Sequence, residues 1–246
     1  MAHTRSKREA ALQRDDDSAV RGEVNQLSPV SVTKRRGTST LKAKTVQHSR
    51  SGERDFSRAA HHVRIIGGRW KRTSLSVLAV GGLRPTPDRV RETLFNWIEH
   101  LLPNLDAARG LDLFAGTGAL GLELASRGAQ RVTFVESNRQ LLELLTRTKR
   151  RLAADQVDII AGDALSVAAR WLAASFEVIF VDPPFDSNLL APAVAAAARL
   201  VSPGGVVYVE SGAPVDDVLI AAAGLQAVRA SRAGRAFFCL LRPVTA

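Results

Sequence analysis

The chain has 246 residues, with 34 Lys/Arg against 24 Asp/Glu and a formal net charge of +10, a length for one domain or two small ones. A single cysteine, Cys239, excludes an intramolecular disulfide and a cysteine-based zinc cluster, and His3, His48, His61, His62 and His100 show no metal-ligand spacing, so no metal site is expected. No apolar run is long enough for a membrane span and the amino terminus lacks the apolar stretch of a secretion signal, so a cytoplasmic protein with no membrane partner is expected.

Residues 1–60 hold 13 of the basic residues against 7 acids, with Phe56 the only aromatic. Such a segment cannot bury enough apolar surface to offset its ordering entropy, so a disordered basic arm is expected. It is either an RNA-binding tail or a passive, solvated one. The remaining residues, 61–246, keep a smaller basic excess and form the expected folded domain.

Folding begins near Val63. Val63–Arg72 reads as strand, glycine turn and second strand, with Gly67-Gly68 able to supply positive φ, inside a hairpin extension over 63–82. Arg64, Arg69, Lys71 and Arg72 decorate that hairpin beside Trp70, which offers a ring for stacking. Phosphate contact and plain solvation are both open readings of these cations. Thr86 is placed as an N-cap, with Pro87 at the first position of a helix over 87–102. Val90, Leu94, Trp97, Ile98 and Leu101 form its inner face. Arg84, Arg89 and Arg91 cluster at its start, where a helix amino end already favours anions.

From 110 to 242 strands and helices alternate. Strands are expected at 110–114, 131–136, 157–161, 177–182, 204–210, 225–230 and 235–241, and helices at 118–127, 138–153, 164–173, 187–200 and 215–223. Short connections between them imply a mostly parallel sheet with helices on both faces and ligands at its carboxyl edge. Leu111-Asp112-Leu113-Phe114-Ala115-Gly116-Thr117-Gly118 is a buried strand entering a glycine turn that suits a nucleoside cofactor. With Gly121 it also matches the dinucleotide fingerprint, yet no oxidoreductase machinery follows. Glu136 ends the next strand about 20 residues on, where an acid accepts ribose hydroxyls; a solvated strand-end charge is the alternative. Asp163, before Ala164, can accept from an adenine amine, cap the following helix, or do both.

Val178-Ile179-Phe180-Val181 then leads into Asp182-Pro183-Pro184-Phe185. Two prolines stiffen this loop and bring no N–H to compete for acceptors. The Asp182 carboxylate and the Pro183 carbonyl can both accept from one NH₂, and Phe185 can stack on the base that carries it. With the glycine turn before it, the loop points to methyl transfer onto a nitrogen, driven by alignment and fixed acceptors.

Residues 63–242 resemble the bacterial 16S rRNA guanine-N2 methyltransferases of the RsmD type. The resemblance is carried by Arg64–Trp70, Leu83-Arg84-Pro85-Thr86, Asp88–Trp97, Asp112–Leu122, Ser126-Arg127-Gly128-Ala129 and Val181–Phe185. It implies a Rossmann-like, class I α/β methyltransferase fold, seven-stranded with an antiparallel last strand. It also implies S-adenosylmethionine as donor, no metal, and a small-subunit rRNA guanine as acceptor, met within an assembly particle by a monomeric enzyme. Asp112, Phe114, Gly116, Thr117, Gly118, Glu136, Asp163 and Ala164 would hold the cofactor, Asp182, Pro183, Pro184 and Phe185 the base. Pro87 and Thr146-Arg147-Thr148-Lys149 depart from the family pattern, and the arm has no counterpart in it. Guanine presents adjacent N1–H and N2–H donors, which suits an acceptor-only carboxylate. Adenine-N6 transfer on DNA or RNA is the second reading.

Overall fold

Buried apolar strands build the sheet, and each glycine or proline turn hands the chain to a covering helix. The computed structural model describes residues 61–78 and 86–244. The arm at 1–60 and Arg84 lie outside the described residues. In chain order the elements are β1 (His61–Arg64), β2 (Ser74–Val77), α1 (Asp88–Leu101), β3 (Arg109–Asp112), α2 (Ala119–Ser126), β4 (Arg131–Glu136), α3 (Arg139–Leu152), β5 (Val157–Ala161) and α4 (Ala164–Ala168). They continue with β6 (Phe176–Val181), α5 (Leu190–Leu200), β7 (Val201–Ser211), α6 (Asp217–Ala222), β8 (Leu225–Ala233) and β9 (Ala236–Pro243).

The main sheet has the order β5-β4-β3-β6-β7-β9-β8. Strands β3 to β7 pair in parallel, and β9 runs antiparallel to both β7 and β8. This is the expected α/β architecture of class I methyltransferases with a reversed final strand. Val178, Ile179, Phe180 and Val181 are wholly buried because β6 is covered on both faces, which is why its sequence is a continuous apolar run. One face packs Leu94, Phe95 and Ile98 of α1 on Phe180, Tyr208 and Phe238, with the Phe95 and Phe180 ring centroids 6.0 Å apart. The other packs Ala193, Val194, Ala197 and Leu200 of α5 on Ile179, Val181 and Val207. Strand order reverses between β3 and β6, which opens a crevice at the carboxyl edge.

The hairpin extension differs in detail from expectation. β1 and β2 pair antiparallel with Arg64 opposite Ser74, so the second strand starts beyond residues 69–72. Those residues form a turn, closed by Arg72 N–H donating to Ile65 O at 2.7 Å and Ile65 N–H to Thr73 O at 3.0 Å. Trp70 is buried in the core, so its ring is not available for stacking. The turn docks on the last residue of α2. Arg69 N–H donates to Ser126 O, Trp70 N–H to Ser126 Oγ, and Ser126 Oγ to Gly67 O. Gly68 has φ of 72°, and a Cβ there would lie 1.8 Å from Ser126 O, so only glycine fits.

Two assignments at the start of α1 are corrected. Pro87 is the N-cap and makes no side-chain cap bond, while buried Thr86 donates its hydroxyl to Glu210 Oε2 at 3.1 Å. A long-range acceptor outcompetes the local cap. Arg91, expected on an RNA-facing surface, is wholly buried. Its position between Val90 and Leu94 faces inward. It donates to Arg64 O at 2.7 Å, Thr86 O at 3.2 Å and Asp88 Oδ1 at 2.7 Å, and its Nη1 lies 3.6 Å from Glu123 Oε2 without a hydrogen-bond partner. Glu123, buried in α2, accepts from Ile66 N–H (2.6 Å), Gly67 N–H (2.8 Å) and Arg127 Nε (2.8 Å). One carboxylate thereby fastens the hairpin to α2, and Arg127 and Arg91 together balance its charge.

Removing one partner of a buried ion pair leaves the other uncompensated. Arg91→Ala is therefore expected to lower the unfolding free energy by about 3–5 kcal/mol in urea titrations. A loss below about 1 kcal/mol would mean that Arg127 and the backbone donors satisfy Glu123 without Arg91.

Candidate active site

The glycine turn grows directly out of β3. Leu113 N–H donates to Phe180 O (3.1 Å) and Ala115 N–H to Val135 O (3.0 Å), tying the chain past Asp112 to both neighbouring strands. Gly116 and Gly118 then take φ of 53° and 77°. A Cβ on Gly118 would come within 2.7 Å of Leu145 Cδ2, so the turn is closed to larger residues by packing as well as by φ. Gly121 serves packing alone, since a Cβ there would strike the Phe134 ring at 2.0 Å. The third glycine of the dinucleotide-like pattern is thus explained by helix-to-strand contact.

Acidic groups fix this turn from below and from the side. Glu136 Oε2 accepts from Gly116 N–H (2.8 Å), and Oε1 accepts from Ser137 N–H (2.9 Å) and Asn138 N–H (2.8 Å). Three of its roughly four acceptor positions are filled, leaving room for a hydroxyl. Buried Asp112 accepts from Gly121 N–H at 3.1 Å. Burial pushes its carboxyl up to about 7, opposed by that backbone bond and reinforced by the charge of Glu136. Thr117 and Ala164 are buried beside the turn, while Phe114 is half-buried in one apolar cluster with Ile160 and Leu165. Asp163 is exposed and caps α4 by accepting from Ser166 N–H at 2.8 Å, a bond that lowers its carboxyl pKa. The capping role is the one the hydrogen bonds show.

The second motif emerges from the adjacent strand. Asp112 of β3 is opposite Phe180 of β6, so Asp182 leaves the sheet beside the glycine turn. Burial, then the charges of Glu210 and Asp112, hold the Asp182 carboxyl well above the usual range. Pro183 is buried, and among the described residues no donor reaches its carbonyl. The Pro184 carbonyl instead accepts from Ser187 N–H (3.0 Å) and Oγ (2.6 Å). Phe185 is 44% exposed, and its ring rests on Gly212, where a Cβ would sit 3.1 Å from Cδ2. The loop therefore offers a carboxylate, a carbonyl and a ring to the crevice.

Glu210 was missing from the sequence reading. It ends β7 next to Asp182, is 4% exposed, and accepts from Tyr208 Oη (2.8 Å) and Thr86 Oγ1 (3.1 Å) on Oε2. Burial raises its carboxyl pKa. The signal was present: an acid closes the apolar run Val206-Val207-Tyr208-Val209 as Glu136 closes its own.

The basic residues divide. Arg64 and Arg89 are exposed near the start of α1, with Arg64 3.7 Å from Asp88. Arg69, Lys71 and Arg72 are exposed on the turn at Ser126, one length of α2 (roughly 12 Å) below the glycine turn. The structure thus gathers the glycine turn, Glu136, Asp182, Pro183, Phe185 and Glu210 at one edge and leaves the hairpin cations away from it.

Comparison with known proteins identifies the family. The family model described as Conserved hypothetical protein 95 matches residues 63–242. The Ribosomal RNA small subunit methyltransferase D of Haemophilus influenzae is 39% identical over 158 residues, covering 62% of this chain and 80% of its own. That of Escherichia coli K12 is 42% identical over 147 residues, covering 60% and 68%. Among solved structures, the Escherichia coli protein yhhF, described as a methyltransferase, superposes with TM-score 0.63 at 35% identity, covering 75% of this chain and all of its own. The Haemophilus influenzae methylase HI0767 gives 0.61 at 30% identity, with 75% and 100% coverage.

The raised Asp112 carboxyl has a testable sign. Between its ordinary 3.8 and about 7 the folded state binds the proton and the unfolded state does not, so stability falls as pH rises through that window. Asp182 and Glu210 shift in the same direction. The ligand-free protein is expected to have a lower urea midpoint at pH 8 than at pH 5. Asp112→Asn, which keeps the acceptor for Gly121, should shrink that difference; equal slopes in the two proteins would mean Asp112 stays ionised.

Proposed function

Since the chain belongs to the Conserved hypothetical protein 95 family, a methyltransferase family, we propose that it transfers a methyl group from S-adenosylmethionine to the exocyclic N2 of a guanine in 16S rRNA of the small ribosomal subunit. The observation that carries this reading is the meeting of two motifs at one edge. The Gly116–Gly118 turn and Asp182-Pro183-Pro184-Phe185 follow adjacent parallel strands, so donor and acceptor can be held side by side. The names of the relatives support rRNA as the substrate.

The residues around the turn would suit S-adenosylmethionine. Glycines without Cβ atoms line the turn, Glu136 retains capacity for a ribose hydroxyl, and in this reading Phe114 and Ile160 would wall the adenine while Asp163 would accept from its amino group. When bound, S-adenosylmethionine supplies an electrophilic methyl on a sulfonium and leaves as a neutral thioether. The protein's own part is alignment and proton handling. Asp182 and the Pro183 carbonyl accept the two N–H bonds of the amine, turning its lone pair toward the methyl. Phe185 holds the base in plane. As the N–C bond forms and the S–C bond breaks, the nitrogen sheds one proton. Asp182, whose carboxyl titrates high beside Glu210 and Asp112, is suited to take it. Two neighbouring carboxylates, Asp182 and Glu210, also match the N1–H and N2–H pair of guanine better than the donor–acceptor edge of adenine.

Asp182→Ala is expected to reduce single-turnover methyl transfer at least a hundredfold while leaving the cofactor dissociation constant within about threefold. Similar losses in both would place the loop in the cofactor site. Glu136→Ala should do the reverse, weakening cofactor binding about tenfold or more in calorimetry. Mapping methylated 16S rRNA by mass spectrometry tests the acceptor: methyl on guanine N2 supports the proposal, and methyl on adenine N6 replaces it.

A further inference from the structure

The β8–β9 hairpin is a basic element that the proposed chemistry leaves unused. From Leu225 to Pro243 the chain contains Arg229, Arg232, Arg235 and Arg242 and no carboxylate. Arg229, Arg232 and Arg235 are exposed, and among the described residues no acid lies within ion-pair distance of any of them. Arg242 instead points at the opposite edge, donating to Gly204 O and Leu101 O.

Topology puts the hairpin tip at the carboxyl edge. β8 is antiparallel to β9, which is antiparallel to β7, so β8 ends on the same side as β6 and β7. Ser211 is opposite Phe237, and Phe237 is opposite Arg232; Glu210 is opposite Phe238, and Phe238 is opposite Ser231. Arg232 therefore lies two strand spacings, roughly 10 Å, from the end of β7 and three spacings, roughly 15 Å, from the Asp182 loop. The tip is already ordered: Arg232 Nε donates to Gly234 O at 2.8 Å and its guanidinium lies 4.9 Å from the Phe237 ring centroid. Less entropy is lost when such a side chain meets a phosphate. The cofactor turn occupies the other flank, over β3 and β4.

We propose that the β8–β9 tip, through Arg229, Arg232 and Arg235, grips the sugar-phosphate chain next to the target nucleotide, on the flank of the acceptor loop opposite the cofactor. This rests on the rRNA reading above. A base lifted from its stack into the crevice needs its neighbouring backbone held; Arg232 and Arg235 at the tip stand about two strands away, and Arg229, level with Tyr208 and three residues further down β8, extends the cationic flank. β8 is also the outer strand of the sheet, where charge of either sign discourages edge pairing. Edge protection alone does not require the charge to be positive, whereas a phosphate partner does.

Charge reversal separates the two roles. In Arg229→Glu/Arg232→Glu/Arg235→Glu, the half-saturating 16S rRNA concentration should rise about ten- to a hundredfold, with kcat within about threefold at saturation. The slope of log affinity against log salt should flatten by about 2–3, close to one per lost phosphate contact. Melting temperature and S-adenosylmethionine affinity should match the wild type, and the triple Arg→Lys variant should recover most of the RNA affinity. Wild-type half-saturation and salt slope in the charge-reversed protein would overturn the grip while leaving the methyltransferase reading intact. A wild-type protein that binds S-adenosylmethionine but neither binds nor methylates rRNA would overturn both.

Discussion

Parallel pairing of β3 with β6 is the constraint on which the site depends. It aligns Asp112 with Phe180, so two turns far apart in sequence leave the sheet at the same height. In the proposed function neither turn carries the chemistry alone: the glycines would admit a nucleoside, and the proline loop would present acceptors. The sheet order puts a strand reversal between these strands, and the crevice follows from that topology before any side chain is considered.

Around the crevice, carboxyl groups do several different jobs with one functional group. Glu136 accepts from three backbone donors and shapes the turn. Asp163 caps the start of α4 in solvent, and that cap bond lowers its carboxyl pKa. Asp112, Asp182 and Glu210 are crowded and poorly solvated, so protons cost less to retain there. The local environment of each acid, rather than its residue type, decides whether it holds backbone, caps a helix or accepts a proton.

Much of this was legible from the chain. Strands buried on both faces announce themselves as apolar runs, and β5 begins and ends where the sequence puts it, at Val157 and Ala161. The glycine turn, Glu136 and Asp-Pro-Pro-Phe are local patterns with local causes. What failed was long-range. Arg91 reads as surface until Glu123 is known to lie beside it. Thr86 reads as a cap until Glu210 is known to compete for its hydroxyl. Trp70 looked available for stacking because nothing in ten residues of hairpin reveals that α2 waits underneath. The arginines of β8 and β9 gained meaning only when pairing registers placed them at an edge.

Every residue of α2 from Ala119 to Ser126 is buried. Its first turn supports Gly118, while its final residue and Glu123 hold the amino-terminal hairpin. A helix walled in on all sides acts as a short strut whose two ends cannot shift independently. The hairpin is for that reason not a detachable accessory that evolution or an engineer could swap between scaffolds. Stripping it away would uncover an apolar rod and a charged side chain beneath the glycine turn.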